Sequence, residues 1–385
     1  MLIEKNQGAF RLTLGAVCVG ILCVLLTAGL WPFCAPRNGV AWVAGTSGLR
    51  FGANGIVASA QSFHAPWPGG NCTLEILLQP AWVKGSGTIL AFDSSPHPKP
   101  PFVVQQLWED MVIQRAGRNA EGTPIRQWVG TNGVFQPRQR TLLTITGSPA
   151  STLVYVNGSL AKVSSSFGLN SNDLTGRLLL GSSTFRGSWA GQITGLAIYD
   201  SALSPEDVQA HYRRWLRSES PLDLGEQQPA ALYRFTEGSG NMVRDLSGHG
   251  NDLDIPSRYF ALHPPFLASP LDEFFDRWSG WRTWHYWANV CLNVAGFVPM
   301  GFFFTAFFSL VRPLPRARIA VVAMGLAVSL TIEIGQHFLP TRDSGINDLI
   351  TNTFGTAIGV VLCSPALMRR FAPKETTASS AQAPS

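Results

Sequence analysis

The chain has 385 residues, of which 45% are hydrophobic and only 14% charged, with a formal net charge of +5. That length allows more than one domain, and the mixture leans toward a membrane protein. No nucleic-acid partner is expected.

The apolar residues concentrate at the two ends, around a middle rich in Gly, Pro and Ser. Residues 12–31 carry no charge, and about 20 apolar residues cross a bilayer core. The run is longer than the apolar part of a signal peptide, and no clean small-x-small cleavage site follows. An uncleaved anchor is therefore expected.

Short alternating or apolar runs follow at 73–78, 141–146, 152–156, 177–180 and 192–199, separated by turn signals. This pattern predicts an all-β sandwich, with a tight turn at Asn157-Gly158. A helix interrupts it. Ser204 can cap the helix, Pro205 suits its first position, and Glu206 and Asp207 suit its positive end. Leu203, Val208, Tyr212 and Trp215 would pack it on the sandwich. Cys34 and Cys72 are the two cysteines expected outside the membrane, and could pair.

The segments LVYVNG (153–158), LLLG (178–181) and WAGQITGLAIYDSALS (189–204) resemble the second half of a laminin-G-like, concanavalin A-like jelly roll. ALYRFTEGSG (231–240) and DLSGHGN (245–251) resemble the strand pair that opens such a domain. Here they come after the closing helix, so they are expected to complete the same sandwich at its edge. The resemblance implies a lectin, a glucanase or a protein-binding module. Related glucanases carry Glu-x-Asp-x-Glu on one strand. This sequence has none: Glu75 is alone, and Glu109 and Asp110 are adjacent, pointing to opposite faces. Trp67, Trp82, Trp108 and Trp128 are the candidates for stacking on sugar rings, although core packing is the expectation for any one of them. Asp245, Asn251 and Asp252 could ligate calcium, but an Asx-rich turn is the simpler reading. No other cofactor is expected.

Three further spans are expected at 284–310, 319–339 and 346–367. Lys5 and Arg11 precede the first span, Arg312, Arg316 and Arg318 lie between the second and third, and Arg369, Arg370 and Lys374 follow the fourth. Four spans put all three clusters on one side. The positive-inside rule then makes both termini cytoplasmic and the middle region extracytoplasmic, in a multi-pass protein of the cell membrane.

These spans carry polar stripes. Asn289 and Asn293 are four apart, Glu333 and Gln336 three apart, and Asp348 and Asn352 four apart, so each pair shares one side of its helix. Arg342 lies in the loop between the last two spans, where it could reach either carboxylate by snorkelling and is the expected counter-charge. Gly355 and Gly359 would allow close helix approach. Ionisable groups at membrane depth are costly, so the cluster is a candidate site, with Glu333 and Asp348 the candidates for catalysis. Asn293, Phe297, Pro299, Gly301, Glu333, Gln336, Arg342, Asp348, Asn352, Gly355 and Gly359 resemble, in order and spacing, the motifs of the VanZ-like membrane proteins, named for a member associated with glycopeptide resistance. That resemblance implies an envelope role rather than a reaction.

The expected architecture is a four-helix transmembrane bundle with a concanavalin A-like sandwich inserted after the first helix. Its segments are 1–37 (first helix), 38–262 (sandwich), 263–283 (linker), 284–370 (VanZ-like helices) and 371–385 (disordered tail). Three functions fit. The chain could bind a glycan or a lipid-linked envelope precursor. It could be an enzyme on such a substrate, with Glu333 or Asp348 as acid or base. It could be an assembly factor for another membrane protein.

Overall fold

The computed structural model describes residues 2–63, 70–93, 102–118, 124–182, 187–217, 228–260, 266–267, 283–342 and 344–364. Trp67, most of the expected linker and the expected tail lie outside these. The chain divides into two compact units. One is Ala35–Pro264, and the other joins Met1–Cys34 to Pro265–Ser385.

The first unit is a two-sheet antiparallel sandwich. One sheet has the order β1 (Val40–Trp42), β2 (Leu49–Phe51), β13 (Gly191–Tyr199), β4 (Cys72–Pro80), β9 (Thr141–Ser148), β10 (Ser151–Val156), β11 (Ser159–Ser164). The other has the order β15 (Met242–Val243), β16 (Leu253–Asp254), β3 (Val57–Ser59), β12 (Arg177–Leu180), β5 (Ser86–Asp93), β6 (Phe102–Leu107), β7 (Asp110–Arg118), β8 (Pro124–Thr131). Strand periodicity explains the core. Leu74, Ile76 and Leu78 of β4 point inward with Phe92, Phe102, Val104, Leu143, Ile145 and Ile198. Asn157 and Gly158 both have positive φ and join β10 to β11, the geometry a two-residue hairpin turn requires.

Residues after the helix complete both sheets. β14 (Ala231–Tyr233) pairs with the second half of β13, whose first half pairs with β2. β15 and β16 extend the opposite sheet beside β3. The two ends of the unit lie together. Arg37 bridges to Arg258, Tyr259 N donates to Pro36 O at 3.0 Å, and Arg258 Nη1 donates to Ala35 O at 2.7 Å.

Helix α1 (Leu2–Leu30) belongs to the second unit, and α2 (Pro205–Leu216) to the sandwich. Ser204 and Asp207 form a reciprocal capping box at the start of α2, and Val208, His211 and Trp215 are buried on one side. Leu77, Leu142, Tyr155 and Tyr199 meet that side on the outer face of the sheet.

The second unit adds α3 (Trp284–Phe308), α4 (Leu314–His337) and α5 (Ile346–Leu362). Helix α4 starts earlier than expected because Pro313 is its N-cap and Pro315 falls in its first turn, where a missing N–H costs nothing. Among the described residues, three helices are long and apolar enough to cross a membrane: Gly8–Leu30, Tyr286–Phe308 and Leu314–His337. Ile346–Leu362 is apolar but shorter, at 17 residues, about 25 Å at the α-helical rise.

Backbone contact joins α3 to α5. A Cβ on Gly355 would strike the Val294 carbonyl, one on Gly359 the Val298 carbonyl, and one on Gly301 the Thr356 carbonyl. Helix α1 packs on α4, with Gly29 against Ile332 and Gly335 against Leu30.

Candidate functional site

Two groups of residues carry chemistry: a polar seam in the helical unit and an aromatic end of the sandwich.

The seam starts where α5 begins. Gly345, the N-cap of α5, has no side chain with which to cap it. Its backbone N–H donates instead to Glu333 Oε2 at 2.9 Å, and Glu333 is 1% exposed. A carboxylate suits the positive end of a helix. On α3, Asn293 Nδ2 donates to Asp348 Oδ1 at 2.7 Å. One turn further along α5, Asn352 Nδ2 donates to Ser329 Oγ of α4 at 3.0 Å. Asn352 Oδ1 and Gln336 Oε1 are buried with no hydrogen-bond partner among the described residues. Ser329 went unnoticed in the sequence, though Ser329, Glu333 and Gln336 share one helical face.

Three expected members of the cluster do other work. Gln336 Nε2 donates to Gly29 O of α1 at 2.9 Å. Arg342 was the expected counter-charge to a carboxylate. Its Nε and Nη2 both donate to Trp31 O, at 3.1 and 3.0 Å, and among the described residues it pairs with no carboxylate. Both side chains hold the C-terminal end of α1. Asn289 is exposed.

Three of the four candidate tryptophans also depart from expectation. Trp82, Trp108 and Trp128 are 58%, 66% and 61% exposed, so they contribute little to the core. The core is filled instead by Phe, Leu and Ile. Trp108 sits in the two-residue β6–β7 turn with φ 58°, strained for a bulky side chain. Gln106, 3% exposed, holds this region. Its Nε2 donates to both Trp82 O and Trp108 O at 2.9 Å, and its Oε1 accepts from Trp189 Nε1 at 2.6 Å. One buried amide thus fixes the backbones of two loops that each present an indole. Its signal in the sequence is a polar residue at an inward position of FVVQQL.

The calcium candidates are engaged with backbone. Asp245 Oδ1 accepts from Leu232 N and Ser247 N, and Asp245 Oδ2 from Asn251 N. Asp252 Oδ1 accepts from Asp245 N. This is the Asx-rich turn. Among the described residues no group of three or more His, Cys, Asp or Glu is placed to hold a metal ion. Cys34 is exposed and Cys72 buried, and both thiols are free.

With this geometry in view, two family models match the chain. Residues 246–369 match the model described as VanZ/LLP1, and residues 51–209 match the concanavalin A-like lectin/glucanases superfamily. The chain combines a VanZ-like segment with a concanavalin A-like one. The VanZ match begins in the closing strands of the sandwich and contains α3, α4 and α5, with every residue of the seam.

Several solved structures are similar to the chain. The botulinum neurotoxin serotype D ligand binding domain, in complex with N-acetylneuraminic acid, is 12% identical with a TM-score of 0.35, over 46% of this chain and 45% of that one. The heptameric SAP-like pentraxin from Limulus polyphemus is 14% identical with a TM-score of 0.32, over 46% and 78%. The botulinum neurotoxin DC binding domain, in complex with rat synaptotagmin II, is 11% identical with a TM-score of 0.35, over 46% of each chain. The chain thus spans less than half the length of the two neurotoxin domains. No curated protein matches it.

The chain is therefore membrane-associated, with a lectin-like β-sandwich.

Proposed function

We propose that this protein is a multi-pass component of the cell envelope. Its sandwich binds a glycan at the Trp82–Trp108 end, and its seam engages a lipid-linked or other polar envelope molecule in the outer leaflet. The observation that carries this reading is the Gln106 clamp beneath two exposed indoles. An indole carried on a backbone that is already fixed has less entropy to lose on meeting the apolar face of a sugar, and folding does not require it there.

For the seam, the supporting observation is the pair of buried acceptors, Asn352 Oδ1 and Gln336 Oε1. Leaving such a group unpaired costs about 1–3 kcal/mol, which a donor-bearing ligand would recover. Binding is favoured over catalysis because Glu333 and Asp348 already accept hydrogen bonds from Gly345 N and Asn293.

In this reading α1, α3, α4 and α5 all span, with both termini cytoplasmic and the sandwich outside. The one-sided arginines and lysines support that orientation. The adjacent ends of the sandwich support its insertion between two helices, since inserted domains need neighbouring termini. An impermeant thiol reagent on intact cells should label a cysteine placed at Ser165 and not one placed at Ser379. The reverse pattern inverts the topology.

The glycan reading is tested with Trp108→Gly. Glycine accepts positive φ without strain, so thermal stability should hold or rise by about 1 kcal/mol. Binding on a glycan array should be lost. Retained binding in Trp108→Gly combined with Trp82→Ala rejects the aromatic site.

A further inference from the structure

Beside α2, the outer face of the sandwich carries a cleft that the aromatic end does not use. Its volume is about 380 Å³, and Gln79, Gln192, Arg140, Arg214, Arg234 and Trp215 line it. The floor follows from strand register. Gln192 of β13 pairs with Gln79 of β4 on one side and with Arg50 of β2 on the other. Leu49, Phe51, Leu78 and Ile193 beside them point into the core, so the two glutamines and Arg50 point out. Arg140 immediately precedes β9, which pairs with β4.

The far wall is rigid. The Trp215 ring lies so close over Gly195 that a Cβ there would collide with it. Trp215 Nε1 donates to Glu75 Oε2 at 2.8 Å. Glu75 is fully buried and has His211 Nδ1 at 3.2 Å, with Thr144 Oγ1 and Tyr199 Oη at 3.4 Å. Arg214, the residue before Trp215, is therefore carried on an anchored helix.

The charges in the cleft are of one sign. No carboxylate lines it among the described residues. Arg234 is already engaged with another group. Arg140 and Arg214 are exposed, and among the described residues neither guanidinium has a hydrogen-bond or ion-pair partner.

We infer that this cleft binds an acidic saccharide. Arg140 and Arg214 would hold its carboxylate, phosphate or sulfate, and the amides of Gln79 and Gln192 its hydroxyls. A guanidinium presents a planar fork that matches such oxyanions. A side-chain amide both donates and accepts, as a hydroxyl-bearing ring requires. The volume suits one or two sugar units and is at the small end for ligand pockets. The inference goes beyond a glycan bound at the aromatic end and uses different residues.

The test uses the full-length protein in a sugar-free detergent, titrated calorimetrically with tetragalacturonate, cellotetraose and inorganic phosphate. Tetragalacturonate should bind more tightly than cellotetraose, and more weakly as salt rises. Arg140→Gln and Arg214→Gln should each weaken it about tenfold, without changing the melting temperature, because both side chains are exposed. Phosphate should compete, which would show that the oxyanion is what the arginines read. Wild-type affinity in the double variant, insensitivity to salt and phosphate, or no binding of any anion overturns the inference. Trp108→Gly reads the aromatic end and the arginine variants read the cleft, so either site can fail alone.

Discussion

The sandwich and the helical unit hold themselves together by different means, and the difference decides how far a residue can be read as functional. Water drives the sandwich. Its two sheets bury Leu, Ile, Val and Phe from both inner faces, and its outer face buries a second cluster under α2. Lipid supplies no such drive between helices. The helical unit relies on glycines that let α3 and α5 touch at the backbone, and on side-chain hydrogen bonds from Asn293, Asn352 and Gln336. A polar residue in the helical unit therefore has two reasons to be there, scaffold or site. An indole standing in solvent on the sandwich has no packing reason, and so points more directly to a ligand.

The largest test concerns the sandwich alone. A fragment of residues 35–264 should unfold in one cooperative thermal transition with β-type circular dichroism. Ending it at residue 216 removes β14 from one sheet and β15 and β16 from the other, and should leave no cooperative transition. If the shorter fragment melts like the longer, the late strands do not belong to the cooperative unit.

Next is helix contact. Gly355→Leu pushes a branched side chain into the α3 backbone at Val294, and should cost about 3 kcal/mol, the upper end of the usual overpacking range. The readout is abundance and melting temperature in detergent. An unchanged melting temperature would mean that α3 and α5 do not touch there.

Glu75 probes the hydrophobic side of the comparison. Glu75→Ala leaves buried donors on His211, Trp215 and Tyr199, and should cost about 3–5 kcal/mol in the sandwich transition. Burial, then the neighbouring Glu75 carboxylate, pushes the Tyr199 hydroxyl well above its ordinary pKa, so it remains a donor at neutral pH. Glu75→Gln keeps an acceptor and should lose less than half as much.

The smallest expected stability effects are in the seam, where they separate scaffold from site. Glu333→Gln can retain an oxygen for Gly345 N–H, while it removes the charge and puts an amide donor in place of the other oxygen. Asn352→Ala removes one interhelical bond, worth about 0.6–2 kcal/mol. If the seam binds a ligand, both variants should keep near-normal abundance and lose ligand binding or the cellular phenotype. Loss of function in proportion to loss of abundance makes the seam a scaffold.

Much of this was legible in the sequence because it is local. A run of uncharged residues at 12–31, the Ser204–Asp207 cap and the Asn157-Gly158 turn each depend on neighbours a few positions away. Gly355 and Gly359 were legible as a close-approach face, though their contacts, Val294 and Val298, were not. The site residues were legible as stripes on separate helices but not as partners. Arg342 shows why: its charge suggested a carboxylate, whereas its reach from the loop meets the carbonyl of Trp31 at the end of α1.

The sequence by itself determined which segments are apolar enough for lipid, where strands β4, β9, β10, β12 and β13 and helix α2 lie, and which helical faces are polar, because periodicity and capping act within a turn or two. Only the tertiary structure decided which tryptophans stand in solvent, that Gln106 ties two of their loops together, that Glu75 is enclosed by α2, and that Arg140 and Arg214 share one cleft. Those outcomes depend on which strands become neighbours and which face a helix covers, and Arg140 and Arg214, 74 positions apart in the chain, are brought together only when the sheet and α2 close on each other.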